Sequence, residues 1–214
     1  MMVKKIVIAG ICMALGSSLY ASDMSESKVF IGLELESTKL DMSTKIDLNN
    51  VYLGEFDETS DSLTEYGLRI GAENDEWRTT LLYTYSDNTN SGTKETMNKG
   101  SFLLDYYLWN TGGMDYELKP YIGAHVGYMN YKVTTDFGLG INRRLLDSSA
   151  MFYGVQLGVN LIVSNIVGFD LSYKYSATSI SDTEAFLNGS GANLVYKSKI
   201  DNMGSIAFSA NYYF

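Results

Sequence analysis

The sequence has one cysteine, one histidine and one proline among its 214 residues. With a lone cysteine no intrachain disulfide can form. With a lone histidine, His125, and no partner ligands of its kind, a zinc centre is not expected. No apolar run reaches the roughly 20 residues that a membrane-spanning helix needs. Positive charge is also scarce, since 16 Lys and Arg stand against 25 Asp and Glu, a formal net charge of −9. Such a chain repels nucleic acid, and no nucleic-acid partner is expected.

The amino terminus reads "MMVKKIVIAGICMALGSSLYASD". Lys4 and Lys5 precede an apolar run from Ile6 to Leu15, and Gly16, Ser17 and Ser18 lead to a cut after Ala21. This is the layout of a secretory signal peptide. Residues 1–21 are therefore read as a leader and 22–214 as one domain. Cys12 follows Ile11 rather than a small residue, so it is no lipid-attachment site and leaves with the leader. Without Lys4 and Lys5, 14 bases and 25 acids remain, a net charge of −11.

What the chain does have is period two. The tail "SIAFSANYYF" alternates Ile206, Phe208, Ala210, Tyr212 and Phe214 with Ser205, Ala207, Ser209 and Asn211. Successive strand residues point to opposite faces, so one side of this segment meets something apolar. Seven earlier segments repeat the scheme: "KVFIGLELES", "TEYGLRIGAE", "WRTTLLYTYS", "SFLLDYYLWN", "PYIGAHVGY", "MFYGVQLGVNL" and "VGFDLSYKYS". In the fourth, Leu103, Asp105, Tyr107 and Trp109 lie opposite the apolar stripe.

The eight apolar faces hold 37 positions and no charge, although 19% of the chain is charged. Eight strand glycines, among them Gly123 and Gly154, fall on the other face beside Glu, Asp, Arg and Lys. A soluble sandwich would bury its apolar face and expose the charges. A face mixing charge and glycine makes a poor soluble core but a sensible lumen for a narrow membrane barrel. The apolar face then meets lipid, where a mid-depth Arg or Lys costs about 2–4 kcal/mol.

Connection lengths give a second line of argument. Gaps around "NDE", "NTGGMDYE" and "IVSNI" are short, whereas 38–62, 86–100, 131–149 and 177–203 are long. Short periplasmic turns alternating with long external loops mark an outer-membrane barrel. An even strand number puts both termini in the periplasm. Tyr83, Tyr85, Tyr128, Tyr173 and Tyr175 belong at the outer rim, and Trp77, Tyr212 and Phe214 at the inner rim, where aromatic rings favour the interfaces. Pro120 falls at the start of the fifth strand, where a missing donor is tolerated. The fold expected is all-β, an eight-stranded antiparallel up-and-down transmembrane barrel.

With "KPYIGAHVGY", "GFDLSYKY" and "FSANYYF" in place, the chain resembles the small outer-membrane barrels of the OmpX, opacity-protein and OmpA-barrel type. The likeness covers the whole region after the leader. It implies a Gram-negative outer membrane rich in lipopolysaccharide, and a role in envelope integrity, adhesion or contact with a host or other surface ligand. It also implies periplasmic chaperones and the barrel-assembly machinery as partners in biogenesis. Phe208, Tyr212 and Phe214 occupy the positions of the carboxy-terminal signal read by that machinery. No peptidoglycan-binding segment follows Phe214, so a cell-wall tether is not expected.

Candidate chemistry is thin. Gly127, not a serine, stands two residues after His125, so the His-x-Ser arrangement of a lipid A deacylase is missing. Neither enzyme activity nor any cofactor is expected. "DFG" and the Gly-x-Gly within "TTDFGLGINRR" lack a strand-to-helix context for phosphate binding. "NGS" at Asn188 is a formal glycosylation sequon of no consequence in a bacterium. "GEFDETSD" lacks calcium-loop spacing and reads as solvated surface.

The informative set is the lumen charges. Glu34, Glu65, Asp105 and Asp170 share the inner face with Arg69, Arg78, Lys174 and the neutral His125. An interior only wide enough for side chains must pair such groups. The expectation is a hydrogen-bonded plug, and its alternative is a narrow porin-like channel for ions or small solutes.

Overall fold

A computed structural model describes residues 27–48, 51–59, 62–90, 93–113, 115–136, 142–187 and 193–214. The leader, Cys12, the Gly-x-Gly segment and Asn188 lie outside the described residues. Ten strands follow in order: β1 Lys28–Leu48, β2 Val51–Thr59, β3 Leu63–Glu73, β4 Trp77–Asn90, β5 Thr93–Tyr107, β6 Thr111–Gly112, β7 Tyr116–Asp136, β8 Asn142–Val163, β9 Val167–Leu187 and β10 Asn193–Tyr213. Among the described residues no helix is long and apolar enough to cross a membrane.

β1, β3, β4, β5, β7, β8, β9 and β10 pair antiparallel in that order, and β10 returns to β1 (Phe30 opposite Tyr213, Leu35 opposite Phe208). The result is a closed eight-stranded barrel, with no free edge where the ring is complete. β6 adds a two-residue ladder to β7 inside the "NTGGMDYE" turn. The other two short connections are tight for chemical reasons. Asn74 Oδ1 accepts from the backbone N–H of Glu76 and Trp77 at 2.9 and 2.7 Å, a side-chain mimic of a turn. Ser164 and Asn165 both have positive φ, 53° and 59°, as a type I′ hairpin turn requires.

The faces are inverted relative to a soluble protein. Leu33, Leu68, Leu157 and Ile206 on the outside are 60–65% exposed, while Glu34, Glu65, Asp105 and Asp170 inside are at most 4% exposed. This is the distribution that lipid outside and a polar filling inside would select. Trp109 is a correction: it lies past the end of β5, exposed in the turn rather than on the lumen face.

The long connections are a second correction. They are largely strand, because β1 and β2, β4 and β5, β7 and β8, and β9 and β10 continue as extended hairpins beyond the tyrosine rim. Their patterning changes phase there. Along β1, Leu33 and Leu35 face outward, but the next outward residues are Ser37, Lys39 and Asp41, and Leu40 points inward. An apolar outer stripe therefore stops being visible although the strand goes on.

Above the rim the ring also divides. The β3–β4 ladder ends at Tyr66 opposite Tyr85, and the β8–β9 ladder at Phe152 opposite Thr178. Two four-stranded sheets remain, β2-β1-β10-β9 and β4-β5-β7-β8. Between them Leu40, Leu63, Met97, Met129, Tyr131, Val133, Phe152, Ile180, Ile200 and Met203 form one buried apolar cluster. The head is thus a small sandwich on top of the barrel.

Candidate functional site: the filled lumen

Alternation along each strand aims the inner set, and closure of the ring brings residues from distant strands together. All eight lumen residues expected from the sequence lie inside, none more than 6% exposed. Seven of them fall into two groups, one at the level of Glu34 and one at the level of Arg78, and His125 stands apart.

The first group is a chain of alternating sign, Glu65–Lys99–Glu36–Lys174–Glu34–Arg69. Lys99 lies 2.8 Å from Glu65 and 2.9 Å from Glu36. Lys174 bridges Glu36 at 2.9 Å and Glu34, and Arg69 reaches Glu34 at 3.0 Å and also bonds Ser209. Thr84 donates to Glu65 at 2.6 Å, and Thr38 also donates to it. Every interior member has two partners of opposite sign, which is what makes charge tolerable in so dry a space.

In the second group the Arg78 guanidinium, wholly buried, lies 2.9 Å from Asp105 and 2.6 Å from Asp170. Its Cζ lies 4.4 Å from the centre of the Tyr121 ring, whose hydroxyl donates to Asp170 at 2.9 Å. Gln156 donates to Asp105. The Gly123 position explains the glycine bias of this face, since a Cβ there would stand 2.0 Å from Asp105 Oδ1.

Below these, sequence reasoning missed a closing layer. Glu73 accepts from Tyr107 at 2.7 Å and Tyr213 at 3.0 Å, and Lys119 lies 3.7 Å away, also near Asp75 and Glu117. Lys99 and Lys119 lie just outside the strand segments recognised by their apolar stripe, and Glu73 is the last residue of its segment, "TEYGLRIGAE". Their parity gives the signal that could have found them, because each falls in step with known inner residues of its own strand. Glu36, within the first segment "KVFIGLELES", has the parity of Glu34 and so shares its inner face.

His125 contacts Ser176 at 2.7 Å, and Gly154 leaves room for its ring. A Ser–His pair serves acyl transfer only with an orienting acid on the second ring nitrogen and space for substrate. Nδ1 has no partner among the described residues, and the adjoining cavity, lined by Phe152, Lys99 and Lys174, is about 20 Å³. That volume admits about one water molecule.

Phe208, Tyr212 and Phe214 are 50–75% exposed on the outer surface. Phe208 stacks on Phe169 at 6.3 Å, and the Phe214 N–H bonds the Val29 carbonyl at 2.9 Å. Above the rim, the hydrogen bond from Lys94, at 2.9 Å, and then that from Tyr85 hold the Asp87 carboxyl below its ordinary range.

No protein-family model matches the chain, and no curated protein matches it in sequence. Among solved structures it is similar to the Neisserial surface protein A, at 17% identity and a TM-score of 0.55, covering 87% of this chain and 97% of that one. It is also similar to the outer-membrane protein OprG of Pseudomonas aeruginosa, at 18% identity and a TM-score of 0.58, covering 88% and 97%. The fold is that of the small eight-stranded outer-membrane barrels.

Proposed function

We propose that this protein is an integral outer-membrane barrel with a structural and surface-interaction role, exported by a cleaved leader, with both termini in the periplasm and its hairpins outside. Phe208, Tyr212 and Phe214 are assigned to recognition by the barrel-assembly machinery after periplasmic chaperones deliver the chain. Lipopolysaccharide surrounds the barrel, and a host or other surface ligand is met by the hairpins.

One observation carries the non-conducting part of this reading. The lumen is occupied along its length, by paired charges below the rim and by an apolar cluster above it. An ion crossing this path meets a packed network whose charges are already paired and then a hydrocarbon cluster, and neither replaces its hydration shell without breaking contacts. Purified protein in planar bilayers tests it directly. Closed traces with only rare noise are expected, whereas steady unitary conductance gives preference to the narrow channel.

A further inference from the structure

Gly100, in β5, differs from the other glycines of the barrel wall. At each of the inward-facing ones, such as Gly123 and Gly154, an added Cβ would stand 3.1 Å or less from a neighbouring atom. At Gly204, which faces outward, the Tyr173 hydroxyl would lie 3.3 Å away. Gly100 also faces outward, in step with Phe102 and Leu104, but a Cβ there meets nothing within 4 Å. Its φ lies outside the left-handed range, and β5 pairs through it with β4 and β7 without a bulge. Neither the backbone nor a neighbouring side chain therefore calls for glycine. Glycine weakens a strand, and with bulge and bend excluded it marks the close approach of something from outside.

The cross-strand neighbours of Gly100 are Tyr83 and Tyr128, each about half exposed. Strand spacing puts their backbones about 10 Å apart, and contacts of about 3.5–4 Å with each ring leave a slot one saturated ring thick. Below the slot β5 turns Phe102 and Leu104 outward, and above it Asn98, Thr96 and Lys94. The slot thus straddles the boundary between the apolar and polar outer faces. At its upper end Asn98 Oδ1 accepts from the Tyr83 hydroxyl at 2.9 Å, which leaves the amide N–H donors for a ligand. Asn130, paired with Asn98, donates to Ser149 at 2.9 Å and keeps its Oδ1 as an acceptor. A bare acyl chain makes no use of these amides, and a free sugar makes none of Phe102 and Leu104. A saccharide joined to hydrocarbon meets the whole surface. We propose that the slot between Tyr83 and Tyr128 binds the saccharide of an outer-leaflet glycolipid, one sugar ring over Gly100 and its hydroxyls on Asn98 and Asn130. The inference rests on the hairpins facing outward, as proposed above, and gives the surrounding lipopolysaccharide a defined contact.

The full-length protein, released from nanodiscs containing both lipopolysaccharide and phosphatidylglycerol, supplies the test, with native mass spectrometry reporting the lipid it keeps. The natural protein should retain lipopolysaccharide in preference to phosphatidylglycerol. Gly100→Val fills the slot with a residue suited to a strand and should lower that retention at least tenfold. Ile206→Val, on β10 across the ring, should leave it unchanged. High salt should not release the lipid, because the contacts in the slot are uncharged. Equal retention by Gly100→Val, equal retention of phosphatidylglycerol by the natural protein, or a dimer of this chain that Gly100→Val dissolves would each overturn the proposal. Heat-modifiable gel mobility shows that the variants remain folded. Lipid retention does not depend on orientation in the cell, so failure of the proposed topology registers separately, as protease cleavage after Asp75 on intact cells.

Discussion

Arg78→Met removes one guanidinium and leaves the methylene stem largely in place. Two carboxylates lose their cation at once, because Asp105 and Asp170 have no other salt bridge among the described residues. What remains is one neutral donor each, Gln156 on Asp105 and Tyr121 on Asp170. Breaking one side of a buried pair costs about 3–5 kcal/mol. Loss of the cation–π contact with Tyr121 adds about 0.5–2 kcal/mol. Arg69→Met is the calibrating contrast, since Glu34 keeps Lys174 when Arg69 is gone. Its cost should be that of a charged hydrogen bond, about 1.5–3 kcal/mol. Urea unfolding in lipid vesicles, followed by gel mobility, gives both values. The triple variant Arg78→Met, Asp105→Asn, Asp170→Asn has no stranded charge and should recover most of the loss, as exchange of a buried ionic group for neutral residues commonly does. An Arg78→Met protein within about 1 kcal/mol of the natural one, or a triple variant no better than the single, would refute the reasoning.

The remaining predictions address the faces, the head and assembly. Leu68→Arg, beside Arg69 but on the lipid side, should cost about 2–4 kcal/mol in the same unfolding assay, and a silent result would mean that the two faces are exchanged. Met129→Ala should destabilise the head by about 2–5 kcal/mol through the cavity it leaves without opening a current in planar bilayers; steady conductance from this single change would place the seal in the head alone. Removal of Phe214, or Phe214→Ser with Tyr212→Ser, should lower the amount of heat-modifiable protein in the outer membrane and leave chain with periplasmic chaperones. Protease added to intact cells should cut within 38–62, 86–100, 131–149 or 177–203 and spare Asn74, Asp75 and Glu76; cleavage after Asp75 from outside contradicts the proposed topology.

Strand faces, strand number and the short turns were readable from the residues because each depends on neighbours in the chain. Parity along a strand is local, so Glu34 and Leu33 declare opposite sides without any knowledge of what they meet. Asn74 and Asn165 likewise carry their turns in their own chemistry. The hairpins above the rim were mistaken for loops for a reason that is not local. The surrounding medium changes from lipid to water there, so the outward stripe becomes polar while the strand continues through Leu40.

Partnerships inside the lumen lie further beyond sequence. Arg78 and Asp170 are 92 residues apart, and they meet because of the stagger of the strands and the closure of β10 on β1. The same holds for His125 with Ser176, and for the apolar cluster drawn from two sheets that separate above Phe152. Residue types and their alternation dictate which side chains enter the barrel. Which of them touch depends on register across strands, a property of the closed ring that no single segment contains.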